Sequence, residues 1–93
     1  MTRAERQSME QRIRTSPVNI TFHAVLRYQQ RYDKVAGDVI EGRLRRRVRS
    51  AEVIKPTRVM RGYRVTTGDL TLAVKEDEGT LVVVSVWGRR RWA

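Results

Sequence analysis

Ninety-three residues with 20 Lys+Arg against 10 Asp+Glu carry a net charge of +10 and a pI near 11.4, the profile of one small, strongly basic domain. A chain this short builds at most one two-layer core, which excludes a multidomain enzyme. Without cysteine there are no disulfides, thiolate metal sites or cysteine nucleophiles, and a lone histidine excludes a histidine zinc cluster.

Residues 1–17 predict a marginal helix or a mobile arm. Met9 and Ile13 stand four apart and Glu10 and Arg14 form a favourable i,i+4 pair, but little else there is apolar. Ser16-Pro17 breaks this segment, and Val18 to Ile20 begins as a short extended piece. A first main helix is expected from Phe22 to about Asp33, with Phe22, Val25, Leu26, Tyr28 and Tyr32 on one side and Thr21 or Asn19 as cap. A second is expected from near Val35 or Asp38 to about Ser50, burying Ile40, Leu44, Val48 and Ala51, with Asp38 and Glu41 at capping-box positions. After Lys55-Pro56 the period changes from 3.6 to 2. Turn signals at Arg61-Gly62, Thr67-Gly68-Asp69 and Glu76-Asp77-Glu78-Gly79 then separate strands near 57–60, 63–67, 70–75 and 80–87. The expectation is an α+β fold, two helices packed on a four-stranded antiparallel meander. It has three parts: an N-terminal arm or short helix over 1–17, one domain over 18–88 and a basic tail over 89–93. The last strand, Leu81 to Val86, is apolar on both faces, so something other than the helices is expected to cover its second face: the N-terminal arm, a second subunit or an inhibitor protein.

The charge is concentrated. Residues 43–64 hold nine Lys/Arg and only Glu52, whereas residues 1–42 hold seven Lys/Arg and five Asp/Glu. A single-sign patch of this kind attracts a polyanion. Arginine outnumbers lysine seventeen to three, which fits either phosphate forks or the coding bias of a GC-rich genome. Arg43, Arg45, Arg46, Arg47 and Arg49 surround the second helix everywhere except its apolar stripe, and Arg61 and Arg64 extend the run. Such a helix tracks phosphates without reading bases, or is simply solvated. Tyr63, Trp87 and Trp92 supply either stacking platforms or sheet core, and Arg89, Arg90 and Arg91 form a basic tail. His23, Arg27 and Arg31, at i, i+4 and i+8, form one ridge: a phosphate-gripping row or an ordinary charged helix face.

Thr21-Phe-His-Ala-Val-Leu-Arg27-Tyr-Gln-Gln-Arg31 resembles the "F-H-A-x-x-R-x-x-x-R" opening of a family of small bacterial and phage domains grouped with the RelE/BrnT-like toxins, and more broadly with barnase-, EndoU- and colicin-type ribonucleases. Tyr63 to Val74 and Leu81 to Trp87 resemble that family's closing hairpins, so the resemblance runs from about residue 20 to residue 88. It implies two helices on a curved antiparallel sheet and metal-independent RNA cleavage, with His23, Arg27 and Arg31, and Ser85 on the last strand, as catalytic positions. The run Arg43 to Arg49 and the arginine-rich tail are not part of the family pattern.

Such cleavage needs a base, an acid and cations for the charge gathering on phosphorus. With one histidine, His23 takes one role and Glu52, Tyr63 or water the other. The resulting expectation is an RNA-binding, RelE-like domain, as a metal-independent endoribonuclease toxin of a phage or mobile element. The alternative is a non-catalytic protein of the same fold that binds nucleic acid or a host protein. No cofactor is expected. The expected partners are RNA, including ribosome-associated RNA, an acidic antitoxin-like protein and a second copy of the chain. No apolar stretch approaches the roughly 18 residues of a membrane span and Met1 to Arg14 has no apolar h-region, so the expected location is cytoplasmic.

Overall fold

The computed structural model describes residues 2–57 and 62–88. It is α+β, with three helices and a five-stranded mixed sheet. In chain order the elements are α1 (Arg3–Thr15), β1 (Val18–Ile20), α2 (Phe22–Arg31), α3 (Gly37–Arg49), β2 (Val53–Thr57), β3 (Gly62–Thr67), β4 (Leu70–Asp77) and β5 (Thr80–Gly88). The sheet order is β1-β5-β4-β3-β2.

Strands β2 to β5 form the expected antiparallel meander, but β1 adds a fifth strand, pairing parallel with β5 from Val18 opposite Leu81 to Ile20 opposite Val83. Three residues are too few to show alternation, which is why this piece did not read as part of a sheet. The described part of the first meander strand is 53–57, so it begins before the expected 57–60, of which residues 58–60 lie outside the described residues. Pro56 does not end it, because β2 is the edge strand and a proline there forfeits no bond needed by a neighbour on its outer side. The β4–β5 loop, Glu78-Gly79, has positive φ at both residues (47° and 80°), as a two-residue hairpin of right-handed twist requires. Gly68, at φ 61°, opens the β3–β4 turn.

The helices sit on one side of the sheet. Ile40, Leu44 and Val48 of α3 are completely buried, as their 3.6-residue spacing predicts, against Tyr63, Val65, Leu72, Val74, Leu81, Val83 and Val86. Each such aliphatic contributes about 1.5–3 kcal/mol. Of the two forms expected for residues 1–17 the protein has the helix: α1 places Met9 and Ile13 in the same core and is capped by Thr2, whose hydroxyl accepts from the Glu5 amide at 3.1 Å. Thr21 caps α2 as predicted, accepting from the Ala24 amide at 3.2 Å. For α3 the capping-box reading is corrected: its N-cap is Ala36, with no side-chain cap. The buried side of α2 is corrected too. Ala24 and Val25 face the core while Phe22 is 79% exposed, and Leu26 and Tyr32 are exposed as well.

Candidate nucleic-acid interface

The strand registers divide the sheet into a covered face and an open one. On the open face Trp87, Thr71, Thr66 and Val53 lie in one row across β5, β4, β3 and β2; Ser85, Ala73, Arg64 and Lys55 form the next; Val82, Lys75, Gly62 and Thr57 the third. Lys55, Arg64 and Lys75 are exposed and share a sign. The one carboxylate with the same parity in β2 to β5, Asp77, stands at the hairpin end. The Arg64 guanidinium lies over the Trp87 ring, 5.8 Å from its centroid. Two small residues lie between them in register, Thr71 and Ala73, and each is only 9% exposed on a face that no helix among the described residues covers. The larger side chains therefore meet above them as a platform. The bulge of β5 beside Ala73/Val74 keeps both parities in place: Val83 and Val86 stay in the core while Ser85 and Trp87 stay outside. The buried residues of α1, Met9 and Ile13, pack into the core on the other face.

A second basic feature is a cleft of about 480 Å³ between α2 and α3, lined by Tyr28, Arg43, Arg46, Arg47 and Ser50. Arg43 donates to the Tyr28 hydroxyl at 3.3 Å and to Asp33 Oδ2 at 3.1 Å, and both bonds push its pKa up, Tyr28 foremost. Arg46 and Arg47 make no ion pair among the described residues. The Tyr28 ring stands 5.2 Å from Tyr32, tilted by 40°. Burial and the charge of Asp69 raise the Tyr32 pKa.

The other arginines of α3 are engaged elsewhere. Arg45 Nε donates to the Val18 carbonyl at 2.9 Å, and Arg49 donates to the carbonyls of Ile13 at 2.9 Å and Ser16 at 2.6 Å. Tyr63 belongs to the covered face, at 8% exposure. Its hydroxyl donates to Glu76 at 2.6 Å and accepts from Arg12 at 3.2 Å, and Arg12 also binds Glu76 at 2.9 Å. Burial first, then the bond to Glu76, push the phenol up to about 12. Tyr63 is thus a protonated donor at neutral pH, and its ring is core. Glu52 accepts from the Gly68 amide at 3.1 Å.

Of the residues that the resemblance singles out, His23 and Arg31 are exposed on α2 and Arg27 is half-buried, its Nε enclosed without a hydrogen-bond partner among the described residues. His23 makes no hydrogen bond among them either. The start of α2 is fixed to the margin of β5, where the Thr21 hydroxyl donates to the carbonyls of Val83 and Val84 at 3.0 and 3.4 Å, one residue before Ser85. Ser85 itself lies on the open face. Arg61, Arg89, Arg90, Arg91 and Trp92 lie outside the described residues, as does most of the strand expected at 57–60. Tyr28, Ser50, Lys55 and Lys75 are interface candidates that the sequence reading passed over. For the two lysines a signal existed, since each shares strand parity with its neighbours on the open face and opposes the apolar alternation of its own strand.

Among the described residues no three His, Cys, Asp or Glu side chains gather as metal ligands, and no helix is long and apolar enough to cross a membrane. No family model matches the chain, and neither the curated proteins nor the solved structures contain a match.

Proposed function

We propose that this protein binds single-stranded RNA on the open face of its sheet. The observation that carries the reading is the Arg64–Trp87 platform flanked by Lys55 and Lys75 on a face that no helix among the described residues covers. A half-exposed indole offers a stacking surface to a splayed base, and the three cations track the phosphates on either side. Binding should weaken with salt: with about five phosphates neutralised, log affinity falls against log salt with a slope near −3.5, about −0.7 per contact. Replacing Lys55, Arg64 and Lys75 by Ala removes about 2 from that slope. Because all three side chains are exposed, folding stability shifts by no more than about 0.5 kcal/mol for each. Fluorescence anisotropy with a short labelled RNA over a salt series measures both. A slope near zero, or wild-type affinity in the triple variant, overturns the reading.

Cleavage of the bound strand, as a RelE/BrnT-like metal-independent endoribonuclease, is the second reading. What favours it is Ser85 in the middle row of the same face and the start of α2, with His23, fixed to the margin of the same strand. In this reading His23 moves a proton and Arg27 and Arg31 hold the charge on phosphorus. His23→Ala then slows cleavage by about 10²–10⁴-fold with little change in affinity. The products carry a 2′,3′-cyclic phosphate, and DNA, lacking the 2′-hydroxyl, resists. RNA left intact by pure wild-type protein reduces the function to binding.

A further inference from the structure

The α2–α3 cleft is not needed by a strand lying on the sheet, yet three arginines, Arg43, Arg46 and Arg47, line it. Arg46 and Arg47 stand in the last turn of α3, where cations complement a helix end worth about half a negative charge. That end is already served. The Ser50 amide donates to the Arg46 carbonyl at 3.0 Å, and the Ser50 hydroxyl lies 3.0 and 3.4 Å from the carbonyls of Arg46 and Arg47. Two full positive charges beside Arg43 therefore exceed what the helix end requires.

Three further observations define what fits. Tyr28 lines the cleft and pairs with Tyr32, so an aromatic surface adjoins the arginines, and the volume suits one nucleotide. Asp33 is held by Arg43 at 3.1 Å, so that arginine is already paired while Arg46 and Arg47 leave their charge open to the cleft. Lastly, the cleft lies at the Trp87 end of the sheet. The Tyr32 hydroxyl sits against Gly88, the residue after Trp87, and an Arg47 guanidinium nitrogen lies 2.8 Å from the place a Cβ on Gly68 would take in the β3–β4 turn.

We infer that this cleft receives the terminal phosphomonoester of a single-stranded RNA, with the terminal base against Tyr28 and Tyr32 and the chain then passing round the Gly88 end of the sheet to the Trp87 platform on its other face. The inference rests on the sheet-face reading for the rest of the strand. A monoester near its second ionisation carries up to two negative charges and offers three oxygens to forked guanidinium donors, more than an internal diester can.

The experiment compares one RNA sequence in three forms, with a 5′-phosphate, with a 3′-phosphate and with hydroxyls at both ends. One phosphorylated form should bind about tenfold or more tighter than the hydroxyl form, as two charge-assisted contacts provide. Arg46→Gln with Arg47→Gln should abolish that preference, whereas Lys55→Ala with Arg64→Ala should lower the affinity of all three forms by a common factor. Equal affinity for the three forms overturns this inference and leaves the sheet-face reading standing. Binding of none of them overturns the sheet-face reading. Titration with a nucleoside monophosphate, followed by the tyrosine resonances, then decides the cleft alone: saturable binding lost in the double variant supports it, and no binding ends it.

Discussion

Arg45 and Arg49 share a helix and a charge with Arg46 and Arg47, and one turn of α3 carries all four, yet they do different things. The first pair, four residues apart, faces the α1–β1 connection. Arg49 takes the carbonyls of Ile13 and Ser16, in the last turn of α1 and at its C-cap, and Arg45 takes the carbonyl of Val18 at the start of β1. The two carbonyls at the end of α1 have no partner within their own helix, and a cation is favoured there. The second pair faces the open cleft. What separates a fastened arginine from an open one is whether an orphan backbone oxygen lies within reach of the side chain. The charge run itself carries no such information.

The comparison breaks most visibly in stability. Replacing Arg45 and Arg49 together by Ala should cost about 2–3 kcal/mol, since charge-assisted bonds to otherwise unpaired carbonyls are lost and α1 loosens with Met9 and Ile13. Replacing Arg46 and Arg47 should cost no more than about 0.5 kcal/mol each. Urea titration of the two double variants checks this, and equal losses would erase the distinction drawn here.

How far the fold was legible follows the same division. The stripe Ile40, Leu44 and Val48 and the two hairpin loops were readable, because 3.6-residue spacing and glycine at positive φ are local signals. The docking of α1 was not. Its two apolar residues look marginal, and the bonds that anchor it come from Arg12, Arg45 and Arg49, whose targets lie 27 to 64 residues away in the chain. The parallel pairing of β1 and the rotation of α2 are likewise settled by contacts distant in sequence. The basic character of the candidate interface was legible, but its division into a sheet face and a cleft depended on strand register.

Arg12 offers a sharper, smaller test of how α1 is held. Tyr63 is the hub of its anchor, and its phenol is pushed up to about 12, chiefly by burial and next by the bond to Glu76. A folded-state pKa above the ordinary value of about 10 means that its contribution is complete below pH 10 and is lost as pH rises from 10 to 12. Tyr63→Phe should therefore cost about 1 kcal/mol at neutral pH. The gap between variant and wild type should close across that window, with other titrating groups common to both. A gap that is constant to pH 12 would mean that the phenol is not coupled to folding.

The smallest effect is expected on α2, where the contrast between fastening and exposed side chains recurs among apolar residues. Truncating a core phenylalanine typically costs about 3–5 kcal/mol, and the sequence periodicity places Phe22 on the buried stripe. In the structure Ala24 and Val25 occupy the buried side and Phe22 projects into solvent. Phe22→Ser should then change stability by no more than about 0.5 kcal/mol, because little apolar area returns to water and no cavity forms. It should also leave the Thr21 cap intact, since that hydroxyl bonds the Ala24 amide and the carbonyls of Val83 and Val84 regardless of the neighbouring side chain. Thermal unfolding with wild-type helicity at the start reads both. A loss of several kcal/mol would show that Phe22 is buried, which would rotate α2 back and carry Arg27, now half-buried, out to the helix surface.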